Sequence, residues 1–573
     1  EKHISNTITM SNLANLYLAI SEYKKAEKLL LDSLSIRKEY LNKEHPDIAS
    51  NLIDLGEIYK EKGLIEKAID LTEKGIKMDI LLIQREVPFL SLEDRLNYVS
   101  EFNYGYDQAI QFSFKDPLGT KLALFARLNR QGLLEEIEKK QSQLFNNSNK
   151  VRGIVNKLKN ITEELSFKDL NIEIKNDLVD QKEKLEKKIY RLIPKLKPRH
   201  VEIKEVADSL ERDSILIEYQ KYTTSHNKRG DIEFEDNYLV FLLFPNGEFK
   251  VIDLGPAKII DEKIKKGLLA SEKGWIDAQE IWDDLGYLVL NPIIKYIDKI
   301  KTIYISPDAE LNRVPFTALK IKKNDIFFSE KYNIRLVTTG RELIDLKENL
   351  DISKNKSLIV ANPAFNLIEE KNYNQKDASR IEIRNQIRSI SLSDENWDPL
   401  PGTKKEGLTI SSITSGELLL GKDASAFNIQ NRNTPKIIHI ASHAYYLENQ
   451  AKENNPLLKS GVVLAGANNS GLNPLDDGYL TALEISKLNW SGTELVVISA
   501  CESGLGDIEL GEGVYGIKRA ISVAGAKSSL LSLWKVNDLA TAEFMEIYYR
   551  KLKNGEGKAE ALHNTQKEFR NSD

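Results

Sequence analysis

The stretch 494-ELVVISACESGLGDIELGEGVYGIKRA-520 holds the only cysteine of a 573-residue chain. Leu495 to Ile498 form a β-branched apolar run that reads as a strand, and Cys501 follows it just before the glycines set in. The thiol is therefore expected as the first residue beyond a buried strand. Runs of the same kind recur at 214-SILIEYQ-220, 238-YLVFLLF-244, 301-KTIYIS-306, 357-SLIVA-361, 436-KIIHIA-441, 461-GVVLA-465 and 528-SSLLSLW-534, with helix-like segments between many of them. Continuous apolar strands alternating with helices indicate a mainly parallel sheet covered on both faces.

That pattern begins only near residue 206. At this length the chain is expected to hold two to four domains. Its 81 Lys and Arg against 86 Asp and Glu give a net charge of -5, which supplies no basic field for direct nucleic-acid binding. One Cys excludes an intrachain disulfide and any Cys-x-x-Cys metal site, so neither metal nor cofactor is expected. No apolar run reaches the roughly eighteen residues of a membrane span, and the expected location is cytoplasmic.

The first eighty residues repeat. When 12-NLANLYLAISEYKKAEKLLLDSLSI-36 is set over 54-DLGEIYKEKGLIEKAIDLTEKGIKM-78, the pairs Leu13/Leu55, Ala14/Gly56, Tyr17/Tyr59, Ala26/Ala68, Leu29/Leu71 and Leu34/Ile76 coincide at an offset of 42. The L-G-x-x-Y at Leu55 to Tyr59, with a small residue nine positions after the tyrosine, resembles the tetratricopeptide pattern in a longer-helix form. Residues 1–85 are expected to be such repeats, with more of them before Glu1. Residues 86–205 stay helical without an evident repeat, and 133–193 reads as a long charge-dense hairpin closed by 194-PKLKPRH-200. A polar insertion at 366–398 carries few core residues and reads as a mobile loop.

Functional groups in an open parallel α/β sheet gather beyond the carboxyl ends of its strands. Two such ends carry reactive side chains: 436-KIIHIASHAYY-446 delivers His443, and the opening stretch delivers Cys501. If the two strands are neighbours and run the same way, thiol and imidazole meet on one edge, as a cysteine protease requires. The backbone N–H groups of Ala444 and Cys501 are then the expected oxyanion hole. His439, two residues before Ala441 on the strand, is expected to pack rather than react. The 511-GEGVYG-516 segment matches G-x-G-x-x-G but does not directly follow a strand, so tight turning explains its glycines better than a dinucleotide site. No G-x-S-x-G elbow and no G-x-x-x-x-G-K-[ST] loop is present.

The chain resembles the CHAT-domain proteins, caspase-like cysteine peptidases of the clan that includes separase, often attached to tetratricopeptide repeats. The resemblance rests on 306-SPDAELNRVPFTAL-319, 399-PLPGTKKE-406, 439-HIASH-443, 478-GYLTALEI-485, 497-VISACESGLG-506, 511-GEGVYGIKRAISVAGAKSSLLSLWKVND-538 and 559-AEALHNTQ-566. One departure is Ala444, where the family usually has Gly. The resemblance implies a dyad of His443 and Cys501 within residues 206–573, with 206–350 a noncatalytic pseudo-caspase half and 355–573 the active one. It also implies that Ser499, two before the cysteine, lines the pocket for the residue before the cut (P1). Ser499 brings no charge, so a neutral P1 is expected unless Asp507 or Glu502 supplies one. A bacterial defence or cell-death setting is implied too, with a protein substrate and a regulator on the repeats, such as a CRISPR effector complex or a gasdermin-like protein. With no evident prosegment the protease is expected to be latent, the repeats and the loops 366–398 and 502–513 forming the switch. The rival expectation is an inactive scaffold in which the repeats are the working part.

Overall fold

The computed structural model describes the chain except residues 1–3, 91, most of 148–196, 229–230, 322–325, 347–351, 369–395, 448–454, 473–475, 502, 510 and 572–573. It divides into two compact units. One takes residues 1–137, 148–258 and 337–347, and the other takes 138–147, 259–336 and 348–573. A cut at residue 205 does not separate them.

The first unit begins with two helix pairs, α1 (Asn6–Ala19) with α2 (Tyr23–Tyr40) and α3 (Pro46–Glu61) with α4 (Ile65–Glu86). Ala14, Ala26 and Ala68 are fully buried, so the small residues of the repeat sit where helices approach closely. Buried Asn51 joins three of the helices: its Nδ2 donates to Leu30 O at 2.7 Å, and its Oδ1 accepts from Ser11, Ser33 and Arg37. The turns repeat as faithfully as the sequence does. Ile20, Ser21 and Glu22 donate to Leu16, Leu18 and Tyr17, and Lys62, Gly63 and Leu64 donate to Ile58, Lys60 and Tyr59. Ser21 and Gly63 both take left-handed backbone, at φ 61° and 74°, a conformation that costs an L side chain roughly 1–2 kcal/mol and glycine nothing.

Helices α5 (Leu92–Ser100), α6 (Asn103–Gln111) and α7 (Pro117–Arg130) follow, and α8 (Leu133–Asn147), whose residues 138–147 belong to the second unit, is the described helix of the expected 133–193 hairpin; most of the remainder lies outside the described residues. Three antiparallel strands belong to the same unit: β1 (Ser214–Lys228), β2 (Asp231–Leu243) and β3 (Phe249–Pro256). Their tie to the helices is ionic. Arg127 Nε donates to Glu218 Oε2 at 2.9 Å with both side chains wholly buried, and Gly340 N donates to Glu218 Oε1 at 2.6 Å. Removing one member of such a pair leaves an uncompensated buried charge, which costs about 3–5 kcal/mol.

The second unit is built on a sheet of five parallel strands, in the order Glu417–Gly421, Leu358–Pro363, Ile437–Ala441, Leu495–Ser499, Ser529–Leu531. Both alternating sets of the Leu495–Ser499 strand are buried, as its unbroken apolar run requires. Helices Pro401–Thr414, Asp538–Lys553 and Lys558–Asn571 cover one face, packing Ile410, Met545, Tyr548 and Ala561 on Ile359 and Val497. The apolar run at 461–465 goes elsewhere: Ser460–Val463 lies between His443–Tyr446 and Tyr479–Thr481 in a small antiparallel sheet. Edge strand Glu417–Gly421 is half exposed, and its short apolar run gave no separate signal. Among the described residues no helix is long and apolar enough to cross a membrane.

The left-handed caps yield a paired test. Ser21→Gly is expected to raise the stability of the repeats by about 0.5–1 kcal/mol, and Gly63→Ser to lower it by at least as much. The midpoint of denaturant unfolding measures both, and equal midpoints would contradict the cap geometry.

Candidate active site

His443 and Cys501 leave neighbouring parallel strands at the same step. The register runs from Ile437 with Leu495 to Ala441 with Ser499, and each reactive residue is the second beyond that last pair. Ser442 N continues the ladder to Ser499 O at 3.3 Å. Adjacent strands lie about 4.8 Å apart, so the register itself brings the two chain ends side by side. The sheet order also reverses between Leu358–Pro363 and Ile437–Ala441, since the chain's second strand pairs outside its first. In open α/β sheets ligand crevices form at such a reversal, and His443 follows one of the two strands that flank it.

The imidazole is boxed in. Chain leaving the Leu358–Pro363 strand places Phe365 with its ring centroid 5.3 Å from that of His443, and Trp397 lies 5.2 Å away. His443 Nε2 is 2.8 Å from Asp398 O. A carbonyl only accepts, so Nε2 carries the hydrogen and Nδ1 is left for proton transfer. Burial pushes the His443 pKa below the ordinary imidazole value, opposed by the Asp398 carbonyl and carboxylate. The ring is therefore neutral, the form that accepts a proton, at neutral pH.

Cys501 is half-buried on a turn pinned from both sides. Ser503 Oγ donates to Ile498 O at 3.2 Å and accepts from Ser532 N at 3.0 Å; Gly504 N donates to Ser532 O at 2.8 Å, and Ser532 Oγ donates to Ala500 O. The sulfur itself lies 3.9 Å from Val536 O.

The remaining expected residues are placed as follows. Ala444 is in the His443–Tyr446 strand with a side chain that is nearly fully buried, and it is not among the positive-φ residues, so its methyl imposes no turn strain. Leu447 N donates to Lys459 O, and antiparallel pairing alternates, so the Ala444 N–H points away from the Ser460–Val463 strand and is not spent on that ladder. Ser499 is buried, and its hydroxyl has no hydrogen-bond partner among the described residues. Asp507 is already engaged: Tyr446 donates to Oδ1 at 2.8 Å and Lys459 Nζ to Oδ2 at 2.7 Å. Glu502 lies outside the described residues. His439 is fully buried, with Nδ1 3.2 Å from Tyr549 Oη and Nε2 3.0 Å from Glu406 Oε1. Gly511 and Gly513, at φ 73° and 81°, turn the tight hairpin between Gly506–Glu509 and Gly513–Gly516.

Sequence reading missed Phe365, Trp397, Asp398 and Ser532. Each matters here through what it touches.

Among known proteins, the CHAT-domain family model matches residues 279–573, and a tetratricopeptide-repeat model matches residues 6–80. Tetratricopeptide repeat protein 28 from Homo sapiens is 23% identical over 271 residues, 43% of this chain, and the protein of the same name from Mus musculus is 26% identical over 181 residues, 28% of it. The matched regions span only 10% and 7% of those two proteins. Two crystal structures of the Saccharomyces cerevisiae separase–securin complex align with 98% of this chain and with 45% and 46% of theirs, at 9% and 11% identity and TM-scores of 0.37 and 0.35.

The aromatic box has a measurable consequence. Because burial is the main cause of the low His443 pKa, Trp397→Ala is expected to raise it toward about 6.5. The neutral ring contributes stability above that unfolded-state value, and this is lost as pH falls through the folded pKa. NMR titration of the His443 ring reads the shift; an unchanged or lower value would show that burial by Trp397 is not the cause.

Proposed function

Because the chain belongs to the CHAT-domain family and carries tetratricopeptide repeats, we propose that it is a caspase-like cysteine endopeptidase acting through Cys501 and His443, with the repeats as the seat of a protein partner. The shared register step of the two residues carries this reading. His443 Nδ1 accepts the proton of the Cys501 thiol, and the sulfur attacks the scissile carbonyl carbon. Negative charge then gathers on the carbonyl oxygen, where the N–H groups of Ala444 and Cys501 stabilise it. The protonated ring returns its proton to the departing amine, leaving a thioester that water, deprotonated by the same nitrogen, hydrolyses.

The Asp398 carbonyl supports the step in which the ring becomes cationic, since it accepts from Nε2 throughout. A neutral orienting group adds less to imidazole basicity than a carboxylate does, which suits a base that is mostly unprotonated at rest. Specificity follows from the charges near the cleft. Ser499 is neutral and Asp507 is ion-paired with Lys459, so a basic P1 side chain finds no free carboxylate among these groups, and burying it unpaired is costly. The proposed substrate is a protein with an uncharged residue before the cut.

Two experiments test the proposal. A peptide-based electrophile is expected to label Cys501, with labelling lost in Cys501→Ala and slowed at least tenfold in His443→Ala while circular dichroism stays unchanged. Labelling of His443→Ala at the wild-type rate would falsify the dyad. In a library of peptides varied at P1, uncharged residues are expected to be cleaved about tenfold faster than Arg or Lys; a preference for Arg or Lys rejects the pocket assignment.

A further inference from the structure

One polar side chain near the site makes more bonds than its position in a loop requires. Asn468 lies in the turn Ala467–Leu472, between the small antiparallel sheet and the strand end that carries Phe365. Its Oδ1 accepts from Trp397 N at 2.8 Å, and its Nδ2 donates to Trp397 O at 3.0 Å and to Asn366 Oδ1 at 2.9 Å. Its backbone N–H donates to Phe365 O at 3.0 Å. An amide side chain has one acceptor oxygen and two N–H donors, and all are in use here.

The pattern of these bonds is informative. By bonding both the N–H and the C=O of Trp397, the Asn468 amide acts as a substitute strand partner and fixes the orientation of that residue's two peptide groups. The next carbonyl along the chain is Asp398 O, the acceptor of His443 Nε2. Through its own N–H, Asn468 also holds Phe365, whose ring faces the imidazole. The two chain segments that bring the carbonyl and both aromatic rings to His443 are thus each bonded through their main chain to Asn468. Trp397 has one further anchor, its Nε1–H on Tyr479 Oη at 3.0 Å. The side chain of neighbouring Asn469 donates to Asn366 O at 2.9 Å, and among the described residues it has no bond to Trp397 or Asp398.

We propose that Asn468 is a positioning residue that sets the tautomer and orientation of His443 by fixing Trp397 and Asp398. The proposal rests on the reading of Cys501 and His443 as a catalytic dyad. No other common side chain reproduces it: Asp offers no donor to Trp397 O, and Gln places its amide one methylene further out. Because Asn468 is half-buried, water can replace its bonds after truncation, so its loss alters His443 without unfolding the unit.

The test uses the full chain with ¹⁵N-labelled histidine, the His443 signal being identified by its absence in His443→Ala. Wild-type protein is expected to show the Nε2–H tautomer of His443 at neutral pH. In Asn468→Ala the ring nitrogens are expected to shift toward an average of both tautomers, and alkylation of Cys501 by iodoacetamide, unambiguous with one thiol per chain, is expected to slow by roughly fivefold or more. Asn468→Asp, nearly isosteric, should show the same changes in smaller degree, and Asn469→Ala should show neither. An unchanged His443 tautomer in both Asn468 variants overturns the proposal even where His443→Ala slows alkylation, which would leave the dyad standing. Alkylation of His443→Ala at the wild-type rate overturns the dyad, and this proposal with it.

Discussion

The parallel register that sets Ala441 beside Ser499 makes one site out of two distant chain segments. Neither strand can slide. Leu495 through Ile498 are all buried, as are Ile438 to Ala441, so a one-residue slip would carry every side chain to the opposite face of a sheet packed on both sides. The apolar residues of the two strands therefore fix where the thiol and the imidazole stand. The hydroxyls of Ser503 and Ser532 then hold the turn that begins where the strand ends.

The two halves of the site are held differently. Cys501 is positioned by hydrogen bonds within its own turn and to Ser532, whereas His443 is contacted by Phe365, which follows the Leu358–Pro363 strand, and by Trp397–Asp398, which precede the helix Pro401–Thr414. The orienting acceptor is a main-chain carbonyl. It selects a tautomer without adding a full charge, so the ring is governed mainly by burial and rests neutral. Such a setting keeps the imidazole unprotonated at neutral pH.

Several charged groups around the hairpin that follows Cys501 are paired. Asp507 is neutralised by Lys459, and Arg519, fully buried on the helix Ile517–Ala524, contacts Glu138 at 3.0 Å and lies 3.8 Å above the Tyr515 ring. Arg313 donates to Gly506 O at 3.2 Å. The hairpin that follows Cys501 is thus gripped by several cations. Such buried pairs fix geometry more than they add stability.

The sequence by itself determined the class of structure, and it singled out the thiol and the imidazole that the candidate site is built on. An offset of 42 with matching small residues specified the helical repeats, unbroken β-branched runs specified parallel strands, and a thiol and an imidazole at strand ends can be recognised because both signals are local. Much else was not legible. The place of Ser460–Val463 in the small sheet, the antiparallel pairing of β1 to β3 and the edge strand Glu417–Gly421 depend on which strands meet, and an apolar run records burial but not its partner. The same limit hid Trp397, Asp398 and Asn468. A backbone carbonyl has no residue type, and an asparagine becomes significant only when folding brings it against a peptide 71 residues away. Tertiary structure alone decided how His443 is held, because orientation is set by several chain segments at once and no one of them encodes it.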